Sequence, residues 1–251
     1  MCTSECLIGL PIAFIPSAIW LMFFVFQDKH REKFRNLLEI FIWGMLIAIP
    51  VAFVERMAGF AFNEYYLASA AMFTVFSFLG IAFVEEFGKY VVVRFKAIGK
   101  NFFDEPQDAI IYMAASALGF AAIENVVYVL DAAENLGDLL GLVAVRGISS
   151  NFLHVAASST LGYFLALSIE NKYEGKKFLF TGLILATLLH GIFNGFIINI
   201  GKQIQQGEQV GSMLGVFLLS SLLIVSGIVV IAGLNKLANA RFSPVKERED
   251  S

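Results

Sequence analysis

Three carboxylates, two imidazoles and a carboxamide stand inside apolar stretches of membrane-spanning length: Glu85, Glu86, Glu124, His154, His190 and Asn194. An ionisable side chain at the centre of a bilayer costs at least ~2.5–3.5 kcal/mol on insertion scales, so it persists where it pairs or does chemistry. Glu85 and Glu86 precede Lys89 by four and three residues, and on a helix Lys89 can reach either. Glu124 has no cation within one turn and needs a partner from another helix. Asn151, His154 and Ser158 share one helical face, and His190 stands one turn before Asn194, with Gly191 and Gly195 beside them. Glu124, His154 and His190 form a two-His, one-carboxylate set that suits catalytic zinc with an open position for water. Glu86 or Glu85 could then take the proton of that water, Glu86 being favoured, and Asn194 could donate to an oxyanion. The same residues also permit a metal-free scheme in which Glu86 activates water and the histidines orient it. The structural alternative is polar glue between helices. Arg146 lies about two turns from the outer end of its apolar stretch, can snorkel to the interface and is given no role.

The elements that must carry these residues are helices. The chain has 251 residues, 58% of them hydrophobic and 16% charged, against about 25% charged in a soluble domain. Apolar runs near 7–27, 37–55, 67–96, 107–130, 139–169, 178–200 and 211–234 each approach the ~20 residues that a spanning helix needs. Open sheet edges are excluded from lipid, so the expected fold is all-α, a polytopic integral membrane protein of about seven helices. Lys29, Arg31, Lys33 and Arg35, then Arg94, Lys96 and Lys100, then Lys172, Lys176 and Lys177, then Lys236, Arg241, Lys246 and Arg248 fall on alternate sides of the runs. The positive-inside rule therefore puts the N-terminus outside and the C-terminus in the cytoplasm. Residues 1–240 read as one membrane domain with a catalytic core at about 80–200, and 241–251 as a polar cytoplasmic tail. Asp104-Glu105-Pro106 marks a helix start, and the small residues from Ala114 to Ala122 make the helix that follows a central one. At ~1.5 Å per residue, His190, Glu124, His154 and Glu86 rise to similar heights, in the middle to outer part of the membrane.

Several classes are excluded. Cys2 and Cys6 match no zinc spacing or disulfide framework, and the residues before the first run lack the basic start of a signal peptide. There is no HExxH, no Gly-Ser nucleophile motif and no Gly-rich phosphate loop. No basic groove beyond the loop lysines and arginines calls for nucleic acid.

Five segments in order carry a resemblance: Glu85-Glu86-Phe87-Gly88-Lys89, Asp104-Glu105-Pro106-Gln107-Asp108, Gly119-Phe120-Ala121-Ala122-Ile123-Glu124-Asn125, His154 with Gly162-Tyr163, and Leu189-His190-Gly191-Ile192-Phe193-Asn194. Together they resemble the PrsW family of intramembrane proteases, distantly related to the CaaX-prenyl and Abi membrane proteases. The resemblance implies a bacterial or archaeal plasma-membrane enzyme. It would make a site-1-type cut in a single-span membrane protein, such as an anti-sigma factor, near the outer face of the bilayer. It implies catalytic roles for Glu85 and Glu86, with Phe120 and Glu124, His154, His190 and Asn194 matching the remaining motifs. The reading from residues alone leaves a proton- or metal-coupled transporter open, because chains of intramembrane Glu and His also serve as relays.

Overall fold

A computed structural model describes residues 4–27, 32–63, 80–132, 136–171, 173–207 and 209–238. Its helices are α1 (Ser4–Gln27), α2 (Phe34–Asn63), α3 (Phe83–Lys96), α4 (Pro106–Ala132), α5 (Leu136–Ile148), α6 (Ser150–Glu170), α7 (Gly175–Gln205) and α8 (Gln209–Leu237). Among the described residues there is no strand, so the all-α expectation holds.

Five stretches are long and apolar enough to cross a membrane: Phe34–Gly59, Pro106–Asp131, Leu136–Glu170, Gly175–Ile200 and Met213–Leu237. The protein is a multi-pass membrane protein. The first expected span appears as a shorter apolar helix, Leu10–Phe26. Of the expected 67–96 span, residues 67–79 lie outside the described residues. The rest is a π-helical turn at 80–82 leading into α3. The expected 139–169 span is two segments, α5 and α6, that meet at Ser149. The Ser149 hydroxyl donates back to the Val145 carbonyl at 2.7 Å, a bond that competes with the helix ladder. The tail at 241–251 and Cys2 also lie outside the described residues.

The bundle is built around α4, which packs on α1, α2, α3 and α6. Its composition explains the position: Ala114, Ala115, Ala117, Ala121 and Ala122 are all fully buried. A Cβ added at Gly119 would collide with the Phe41 carbonyl of α2, and one at Gly44 with the Ser116 carbonyl of α4. The two helices thus cross with their backbones touching, as small residues permit in lipid. The start of α4 is built as its sequence suggests. Asp108 Oδ2 accepts from the backbone amides of Asp104 (2.9 Å) and Glu105 (2.8 Å) and so ties the turn before Pro106 to the first turn of the helix. At the periphery, α8 turns Phe217, Ile224, Val225, Ile228 and Val229 outward, an apolar surface suited to hydrocarbon.

Candidate metal centre

Each polar residue of the cluster comes from a helix interior. Glu85, Glu86 and Lys89 sit on α3, Glu124 on α4, His154 on α6 and His190 on α7. The structure brings these six together, and all except Glu124 are buried. The Lys89 ammonium donates to Glu85 Oε2 (3.2 Å), Glu86 Oε1 (2.7 Å) and His154 Nδ1 (2.8 Å), and rests 4.6 Å from the centre of the Phe120 ring. Glu86 has both oxygens engaged: Oε1 also meets His190 Nδ1 at 2.8 Å, and Oε2 accepts from Ser158 at 2.7 Å.

The two imidazoles are set alike. Each has one nitrogen on an orienting carboxylate, His154 Nε2 on Glu124 Oε2 and His190 Nδ1 on Glu86 Oε1, both at 2.8 Å. Each turns its other nitrogen toward Glu85 Oε2, His154 Nδ1 at 3.6 Å and His190 Nε2 at 3.8 Å. The rings stand nearly perpendicular, 5.0 Å apart. Glu85, His154 and His190 thereby offer three ligand atoms within 4.8 Å of one another. Two imidazole nitrogens and one carboxylate oxygen are the donors that zinc takes in hydrolytic sites, and a carboxylate on the far nitrogen of a ligating histidine is its usual support. These donor types fit a metal, and the Lys89 ammonium, which stands 2.8 Å from His154 Nδ1 and 3.2 Å from Glu85 Oε2, would have to withdraw from both as an ion binds.

Sequence reasoning puts Glu124 in that set. The structure instead puts Glu124 on the outer nitrogen of His154, and Glu85 stands where the two histidines converge. Asn194 lies one turn beyond His190 on the same helix and is half-buried. Arg146, which the sequence reading gives no role, is turned into the bundle toward Glu124. Its guanidinium pairs with Glu124 Oε2 at 2.8 Å and donates to Asn125 Oδ1 (2.8 Å) and Ser150 Oγ (3.1 Å), over the Tyr128 ring at 3.8 Å. It is the interhelical cation that Glu124 required.

A cavity of about 330 Å³ opens beside the cluster, with Glu85, Glu124, Phe120 and Tyr128 on its wall. Two more carboxylates line it that sequence reasoning missed, Glu55 of α2 and Asp131 at the end of α4. Glu55 was legible in principle, since it follows the apolar run Val51-Ala52-Phe53-Val54. Its Oε1 is buried without a hydrogen-bond partner.

Residues 32–226 match the model of the PrsW family intramembrane metalloproteases. The chain belongs to that family. It is similar to Protease PrsW of Clostridioides difficile, 31% identical over 75% of this chain and 78% of the relative. It is similar also to Protease PrsW of Geobacillus kaustophilus, 27% identical over 82% and 83%, and of Bacillus subtilis, 25% identical over 71% and 78%. No solved structure matches it. PrsW membership makes the chain an intramembrane metalloprotease rather than a transporter, and its matched region contains every residue of the cluster.

Proposed function

We propose that this PrsW-family enzyme is a zinc-dependent endopeptidase of the plasma membrane that cuts a single-span membrane protein near the outer face of the bilayer. An anti-sigma factor is the substrate type that the family resemblance suggests. In this reading the chain crosses the membrane seven times, N-terminus outside and C-terminus in the cytoplasm, as one domain over residues 1–240 with its catalytic core at about 80–200.

The observation that carries the reading is the convergence of Glu85 Oε2, His154 Nδ1 and His190 Nε2 beside a cavity. These three residues would hold the metal, which when bound acidifies a coordinated water and polarises a carbonyl. The chain's own groups do the rest. With Glu85 taken as a ligand, Glu124 is the remaining cluster carboxylate on the cavity wall, placed to take a proton from attacking water and return it to the leaving amine. The sequence favours Glu86 for that task. Its contacts with Lys89, His190 and Ser158 occupy both of its oxygens and assign it, in this reading, to holding His190. Asn194 keeps the role of oxyanion donor, supported by its place one turn from His190.

The test uses purified full-length protein, wild type beside His190→Ala and Glu85→Gln. The wild type should carry about one zinc per chain by elemental mass spectrometry and cleave a single-span reporter in proteoliposomes. Both variants should lose most of the metal and at least about 100-fold in cleavage rate, as expected when an essential site group is removed. A folded Glu85→Gln variant that retains zinc and cuts at the wild-type rate would defeat the assignment.

A further inference from the structure

We propose that Arg146 is a positioning residue for the metal centre, acting through Glu124 to fix which nitrogen of His154 is offered as a ligand. The inference rests on the reading of Glu85, His154 and His190 as the metal-holding set.

The chemistry follows from what each group can donate. An ionised carboxylate only accepts hydrogen bonds, so the 2.8 Å contact between Glu124 Oε2 and His154 Nε2 places the ring proton on Nε2. The lone pair of the neutral ring is then on Nδ1, the nitrogen that faces Glu85 Oε2 at 3.6 Å. Lys89, which has only protons to give, donates to that same Nδ1 at 2.8 Å and independently marks it as the acceptor, a contact that an ion at Nδ1 would displace. The orientation of His154 is therefore only as secure as the carboxylate behind it.

Glu124 is the exposed member of the cluster. Its side chain keeps 26% of its surface open, and it lines the cavity, where a carboxylate left to itself could turn away. Arg146 prevents this with a planar fork: Nη2 holds Glu124, and Nε holds the neighbouring Asn125 at the same 2.8 Å. Two bonds to adjacent residues of α4 fix the angle as well as the distance, which a lysine ammonium would not do. Arg146 is in turn fixed from behind. Gly147 lies directly against Pro16 of α1, where a Cβ would come within 2.8 Å, and the Gly147 carbonyl accepts from Trp20 Nε1 at 2.8 Å. A second chain of amides closes the frame, with Asn125 Nδ2 donating to Asn151 Oδ1 and Asn151 Nδ2 to Ser17 Oγ, both at 2.8 Å. Helices α1 and α5 contribute no ligand. They hold the residue that holds the carboxylate that holds the ligand.

The experiment is zinc affinity of the full-length protein in detergent, by competition with a chromophoric chelator, for wild type, Arg146→Gln and Arg146→Lys. The helicity and thermal midpoint of the metal-free forms are measured alongside. Loss of an outer-shell partner of a ligating histidine weakens metal binding about 10–100-fold. Arg146→Gln should fall in that range with its metal-free midpoint preserved, and Arg146→Lys should recover part of the loss. Affinity of Arg146→Gln within about twofold of wild type would overturn the proposal. If Arg146→Gln does not fold, Arg146→Lys decides: a weakening of at least about threefold supports the proposal, and no weakening overturns it. Wild-type protein that binds no zinc would defeat the metal reading and this inference together, and that result shows in the wild-type arm alone.

Discussion

At the scale of single residues, the cluster is organised around one cation. Lys89 is fully buried and bonded to Glu85, Glu86 and His154. Removing one partner of a buried ion pair leaves uncompensated charge and costs about 3–5 kcal/mol. Lys89→Met should therefore lower the stability of the metal-free protein by about that amount, read as a drop in its thermal midpoint. Saturating zinc should narrow the deficit, because a divalent ion among the same donors offsets the same carboxylates. An equal deficit with and without zinc would count against a metal site at these donors. The identity of the clustered residues was legible in the sequence, because each is too costly in hydrocarbon to be incidental. Their division of labour was not. Glu85 and Glu86 are neighbours on a helix, so their side chains point about 100° apart, and no spacing rule tells which stands where the two histidines converge and which orients His190 from behind. The role of Arg146 was hidden for a related reason: its depth suggests an escape to the interface, while its true partner lies on another helix.

At the scale of helices, the backbone crossing of α2 and α4 sets the position of the site. Gly119 stands little more than one turn before Glu124 and touches the Phe41 carbonyl. Gly119→Leu should separate the helices and cost at least about 3 kcal/mol, more than an over-packed side chain alone, seen as low yield and a depressed midpoint. Gly195, on the same helix as His190, has nothing within 4 Å of the point where a methyl group would stand. Gly195→Ala should be tolerated or should stabilise by up to about 1 kcal/mol through helix propensity. The central place of α4 was readable from its run of small residues, and its start from Asp104-Glu105-Pro106. The break at Ser149 was not, because a serine inside an apolar run carries no signal of whether its hydroxyl bonds backward along the helix.

At the scale of the whole molecule, the charge pattern of the loops makes a prediction about sidedness. Alkaline phosphatase fused within the acidic stretch of sequence at residues 131–138 should be active, as should one at the N-terminus, whereas a fusion after residue 240 should be inactive and fluorescent protein there should fluoresce. Phosphatase activity at the C-terminal fusion would reverse the proposed orientation and move the cut to the cytoplasmic face. Composition was enough to give the class of the molecule, since 58% hydrophobic residues in long runs leave no soluble alternative. The cavity could not be foreseen, because it is a gap among α2, α3 and α4 that exists only once they are packed.

The burial of the site also limits the shape of what is cut. A substrate that spans the bilayer as a helix, about 10 Å across, carries its carbonyls beneath its side chains, and Glu85, His154 and His190 are each no more than 2% exposed. Such a substrate would have to surrender its coil locally and offer two or three residues in extended form, breaking backbone hydrogen bonds where lipid supplies no replacement. Selection would then act first on how readily a stretch of the substrate unwinds, and only afterwards on its side chains. Glycine or proline near the scissile bond would speed cleavage without any contact of its own to the enzyme.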